Sequence, residues 1–199
     1  MSRKIVLLLW LGFHANILVI CGILAGSLFI QFGLGEFPCP LCMTQRMSML
    51  LCAIAQAYIL CRIQIDGRLH WRDFAVGKAA TLFAAIAGAS MSIRQILLHI
   101  VPPDPGYGSA FFGLHTYTWA FFVFVAEIIA VAINLLLAPK SLEDVPLPFG
   151  RLTRGVLGLL AVVIFALACA TFIEEGLHWT LPGDPVRNEL LYDLGLEKP

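Results

Sequence analysis

Phe37-Pro38-Cys39-Pro40-Leu41-Cys42-Met43-Thr44-Gln45-Arg46 interrupts two long apolar runs, and the rest of the chain is read outward from it. Pro40 biases Cys39 away from helical angles and is itself favoured as the first residue of a helix. Cys39 is therefore expected at the N-cap and Cys42 as the third helical residue. Those two positions approach closely in reciprocal capping contacts, so two sulfurs there come within reach of a disulfide. A helix N-terminus carries partial positive charge, which favours thiolate. Arg46 follows one turn beyond Cys42 on the same face and adds a full charge and five donors. A thiol with a lowered pKa leaves readily and stays reactive at neutral pH. The pattern describes a redox dithiol. Half a zinc site and a purely structural disulfide are the competing readings. No second CxxC or nearby His pair completes a zinc site, and Met43 stands where covalent haem attachment needs a histidine.

The flanking runs decide the fold. The chain has 199 residues, of which 59% are hydrophobic and 13% charged, and its mean hydropathy of +0.86 is not that of a soluble domain. Five runs are long enough to cross a bilayer, at about 5–29, 43–63, 74–99, 117–138 and 152–173. Arg3 and Lys4 precede the first. Arg62, Arg68, Arg72 and Lys78 surround the second connection, and Lys140, Arg151 and Arg154 mark the fourth. The excess of basic residues predicts a cytoplasmic N-terminus and an external C-terminus. Cys39 and Cys42 then lie at the outer face, which is oxidising in bacteria. Arg3 and Lys4 also suit a signal-peptide n-region, but the first run is long for an h-region and is read as a retained span. A net charge of zero with scattered basic residues carries no nucleic-acid signal. There is no internal repeat and no soluble domain.

Polar residues inside the spans are the remaining candidates. His14 predicts an interhelical hydrogen bond. Cys21, Cys52 and Cys61 read as packing residues. The run 84–90 is a small-residue face for close helix packing. Arg94 either snorkels to the interface or lines a pocket with Arg46, Gln95 and His99. Glu127, near the middle of the fourth span, is expected to be protonated or paired. Val186, Leu190, Leu191 and Leu194 fall at helical spacing and predict a short interfacial helix.

A CPLC after a first span, followed by Gln45-Arg46, resembles the DsbB family of bacterial membrane disulfide-generating proteins. The likeness covers roughly the first four spans, and Arg94-Gln95 with His99 extends it. The resemblance implies a four-helix bundle that passes electrons from a periplasmic thioredoxin-like (DsbA-like) protein to ubiquinone or menaquinone in the inner membrane. It implies Cys39, Cys42 and Arg46 as catalytic residues, with Arg46, Arg94, Gln95 and His99 binding the quinone and no metal. Cys42 would be the quinone-facing thiolate and Cys39 the partner that exchanges electrons. Arg46 would stabilise the thiolate and the developing quinol oxyanion. Two features depart from the family. The stretch 101–116 lacks the second cysteine pair, so the dithiol would exchange directly with the soluble protein or serve another membrane protein. The fifth span with its outer tail is an addition.

The expected architecture is an all-α integral membrane protein, one transmembrane domain over 1–199. It comprises a DsbB-like four-helix bundle, a fifth transmembrane helix and a short tail helix. The expected function is a thiol:quinone oxidoreductase supporting periplasmic disulfide formation. The alternatives are a non-catalytic subunit with CPLC as a staple, and a haem carrier using two of His14, His99, His115 and His178.

Overall fold

The computed structural model describes residues 2–139, 142, 145–148, 150–178 and 183–196. Lys140, part of the basic pattern above, lies outside them, as do 179–182 and 197–199 of the tail.

Five long helices form an all-α integral membrane protein. They are α1 (Ser2–Gly33), α2 (Pro40–Asp66), α3 (Trp71–Leu98), α4 (Thr116–Leu137) and α5 (Arg151–Glu175). Each is long and apolar enough to cross a bilayer. Between α3 and α4, β1 (Ala110–Phe111) pairs antiparallel with β2 (Leu114–His115) in a two-stranded hairpin. The tail carries α6 (Glu189–Asp193), which packs on α5. This helix is shorter than the predicted periodicity, because Val186 lies ahead of it and Gly195 takes a left-handed φ of 70° soon after it.

Local chemistry sets the ends of α2. Cys39 is its N-cap, with Pro40 as the first helical residue, as the dipeptide rule requires. At the other end Gly67 adopts φ 65°, and its N–H closes on the Ile63 carbonyl at 2.8 Å. Glycine enters this left-handed cap without a Cβ penalty.

Helix α2 is the hub, packing on α1, α3, α4 and α5, while α3 also packs on α4 and α1 on α5. Helices α3 and α4 approach closely at Gly88, where a Cβ would overlap the ring of buried Phe124. Small residues let membrane helices approach in this way. Phe13, Ile17, Leu24, Ile59, Leu60 and Phe74 fill the interior. Phe83, Phe165 and Leu136 are 74%, 72% and 85% exposed. In a soluble protein such an apolar exterior would aggregate; here it faces lipid.

Several polar groups inside pair across helices, as a medium without water favours. His14 bonds Thr153 of α5 through Nε2 at 2.9 Å and the Trp10 carbonyl through Nδ1 at 2.7 Å. Asn16 donates to Glu127 at 2.5 Å. Lys78 donates to Gln56 at 3.0 Å and lies 4.6 Å from the centre of the Phe13 ring.

Candidate functional site

Both sulfurs sit at the head of α2. Cys39 Sγ accepts from the Cys42 backbone N–H at 3.3 Å, and the two Sγ atoms are 2.7 Å apart. Gln95, from the last turns of α3, reaches both. Its Nε2 is 3.2 Å from Cys39 Sγ and 3.4 Å from Cys42 Sγ. Gln45 donates to the Gln95 carbonyl oxygen at 2.9 Å, which fixes the amide with its N–H group towards sulfur.

This donor set favours negative charge on Cys39. The hydrogen bond from Cys42 is the largest cause, followed in the same direction by the N–H groups of Cys42 and Leu41 and by Gln95. Together they outweigh burial and hold the Cys39 thiol down at about 6. The thiolate is the nucleophile, so alkylation of Cys39 should proceed above a midpoint near pH 6 and fail as pH falls through it. In Cys42→Ala the principal donor is gone, and the midpoint should rise. Iodoacetamide labelling of reduced protein across pH 4–10, read by peptide mass spectrometry, checks both. The short Sγ–Sγ contact also gives the charge a route. Passing the Cys42 proton to Cys39 leaves the thiolate on Cys42.

Cys42 faces a cavity of about 690 Å³ bounded by α1, α2, α4 and the α3–α4 connection. Its walls include Leu24, Ile30, Phe37, Met49, Trp119 and Val123, and the polar side chains of Cys42, Gln45 and Arg46 also line it. Apolar walls with a few convergent polar groups are the usual form of a small-molecule site. The shape and lining suit a flat apolar ligand whose polar atoms turn towards Cys42 and Arg46. Arg46 is anchored from behind, with Nη1 donating to Gln31 at 2.6 Å and Nη2 to the Ser27 carbonyl at 2.9 Å. Two of its five donors are so engaged, and its charge lies within the field of both sulfurs.

The connection is clamped beside the dithiol. Tyr107 donates its hydroxyl to the Phe37 carbonyl at 2.7 Å, and Ser109 bonds Glu36 through its N–H and its hydroxyl. Burial, then the charge of the nearby sulfurs, pushes the Tyr107 phenol up. Cys39 is itself only 6% exposed.

The structure gathers Cys39, Cys42, Gln95 and, across the cavity edge, Arg46. Arg94 and His99 lie elsewhere. Successive helical residues point about 100° apart, so buried Gln95 leaves Arg94 exposed. His99 bonds Asp104 at 3.0 Å and stacks on Tyr117. Of the other histidines, His115 also stacks on Tyr117, while His178 bonds Asp193 in the tail. The sequence singles out neither Gln31, Tyr107 nor Glu36, and it brings in Gln45 only as part of the motif, with no role of its own. Gln45 adjoins Arg46 within the motif and was the most accessible of these to a sequence reading.

The family model described as Disulfide bond formation protein DsbB matches residues 10–134. Disulfide bond formation protein B of Aromatoleum aromaticum is 33% identical over 96 residues, covering 48% of this chain and 53% of that protein. Its counterpart in Chromobacterium violaceum is 34% identical over 93 residues, covering 47% and 53%. That of Methylococcus capsulatus is 35% identical over 92 residues, covering 46% and 53%. The chain thus spans about half the length of the curated relatives it matches. No solved structure matches.

Proposed function

The chain belongs to the DsbB family of disulfide bond formation proteins, and from that premise we propose that it is an inner-membrane thiol:quinone oxidoreductase working through Cys39 and Cys42. The observation that carries the reading is that Cys42 belongs both to the dithiol and to the wall of an apolar cavity that Arg46 also lines.

In this reading a quinone binds in the cavity and supplies a two-electron acceptor. The resting pair, Cys39 thiolate with Cys42 thiol, gives up two electrons and one proton and closes into a disulfide, and solvent supplies the second proton that a quinol needs. Cys39 holds the resting charge and takes the Cys42 proton, which exposes thiolate on the cavity side. Gln95 steadies whichever sulfur is charged, and Arg46 stabilises the negative charge that develops opposite Cys42. In the second half of the cycle, the thiolate of a reduced thioredoxin-like protein attacks Cys39 and forms a mixed disulfide. Its second thiol resolves that bond, leaving the partner oxidised and the Cys39–Cys42 pair reduced.

The basic residues Arg3, Lys4, Arg62, Arg68, Arg72, Arg151 and Arg154 cluster at the helix ends away from the dithiol. The positive-inside rule supports a cytoplasmic location for that end and a periplasmic one for the dithiol.

The test is a thiol count. Protein reduced in detergent and freed of reductant is mixed anaerobically with a short-chain quinone. Two thiols should disappear, mapped to Cys39 and Cys42, with one quinol formed per pair. Folded protein that keeps both thiols would overturn the proposal.

A further inference from the structure

Helix α5 lies wholly beyond the residues that match the family model, yet it reaches the arginine behind the dithiol. Glu174, in its last turn, is 0% exposed. One carboxylate oxygen accepts from Gln31 Nε2 of α1 at 3.0 Å, and Gln31 Oε1 accepts from Arg46 of α2 at 2.6 Å. The polarity of this chain is fixed at both ends. A guanidinium only donates and a carboxylate only accepts. Gln31 must therefore turn its N–H group to Glu174 and its carbonyl to Arg46. Without Glu174 the amide keeps only one of its two anchors, the donor from Arg46, and its free end is no longer held.

We propose that Glu174 is a positioning residue for the redox site, acting through the Gln31 amide to hold Arg46 in its place at the cavity. The fifth helix is then part of the machinery rather than an appendage. This rests on the function proposed above for Cys42 and Arg46. Among the described residues, the other titratable groups in its surroundings include Glu175 on its own helix, Cys39 at the head of α2 and Tyr107 in the connection.

The test compares Glu174→Gln with Glu174→Ala. Both lack the carboxylate charge, but only the glutamine keeps an oxygen that accepts from Gln31. Their difference reports the hydrogen-bonded link alone. In quinone-free reduced protein, the alkylation midpoint of Cys39 should lie at least about half a pH unit higher in the alanine variant, because a loosened Arg46 supports the thiolate less. With a short-chain quinone, kcat should be about tenfold lower in alanine than in glutamine and KM within about twofold, the pattern of an interaction made in the transition state. Both differences should vanish when Arg46 is replaced by glutamine. Coincident midpoints, or a difference that persists without Arg46, would overturn the assignment. If Glu174→Ala does not fold, Gln31→Met breaks the same link from the other side and is read against Glu174→Gln. Wild-type protein inert towards quinone would instead sink the functional reading, leaving the midpoint comparison still to decide this one.

Discussion

In Cys42→Ser, quinone-dependent thiol oxidation should drop to background, a loss of about a thousandfold or more, while the protein still inserts and folds. Cys42 is the sulfur at the cavity wall, and a serine hydroxyl neither ionises near neutral pH nor forms a disulfide. The substitution is close to isosteric, so little else changes. Serine also keeps a donor towards Cys39, so the Cys39 alkylation midpoint should stay low, unlike that of Cys42→Ala. That contrast separates a lost electron path from a disturbed helix end. The measurement is anaerobic quinol formation beside the alkylation profile. Full activity would move the redox role to one of the other free cysteines, Cys21, Cys52, Cys61 or Cys169.

Arg46→Gln should lower kcat for quinone reduction by about a hundredfold to a thousandfold, or about 3–4 kcal/mol of transition-state stabilisation, the range seen when one donor to a developing oxyanion is removed. Glutamine can still reach some polar neighbours but carries no charge. Arg46→Lys should fall between, since an ammonium restores charge without the planar fork that meets Gln31 and the Ser27 carbonyl together. Steady-state kinetics with a water-soluble quinone gives kcat and KM separately. A change confined to KM would mean that Arg46 serves ground-state binding only.

The local rules were legible because they act over a few residues. Pro40 fixed the cap, and the distance from N-cap to third residue brought the sulfurs together. The five spans followed from the run lengths, although α1 and α2 each extend three or four residues past the predicted limits at both ends. What was not legible is tertiary. Arg94, Gln95 and His99 read as one broad face, yet only Gln95 turns inward, because the helix rotates Arg94 out to an exposed position. Which neighbour of a pair points inward depends on how α3 is seated on α2 and α4. Glu174 at the end of an apolar run resembles an interfacial acid. Its burial depends on α5 lying against α1, which no local pattern encodes.

The burial of Cys39 beside the Tyr107 and Ser109 clamp bears on who is allowed to supply electrons. A disulfide open to its surroundings would be drained by any small thiol that diffused past, and the quinone pool would be spent on futile reduction. Here the sulfur is only 6% exposed, so a free thiol or other small reagent reaches it slowly. In the proposed cycle, a docked protein that takes over the contact of Tyr107 with Phe37 would reach the sulfur faster than a free thiol does. For the proposed exchange, burial of this kind would supply kinetic insulation, with selectivity set by docking rather than by the sulfur chemistry itself.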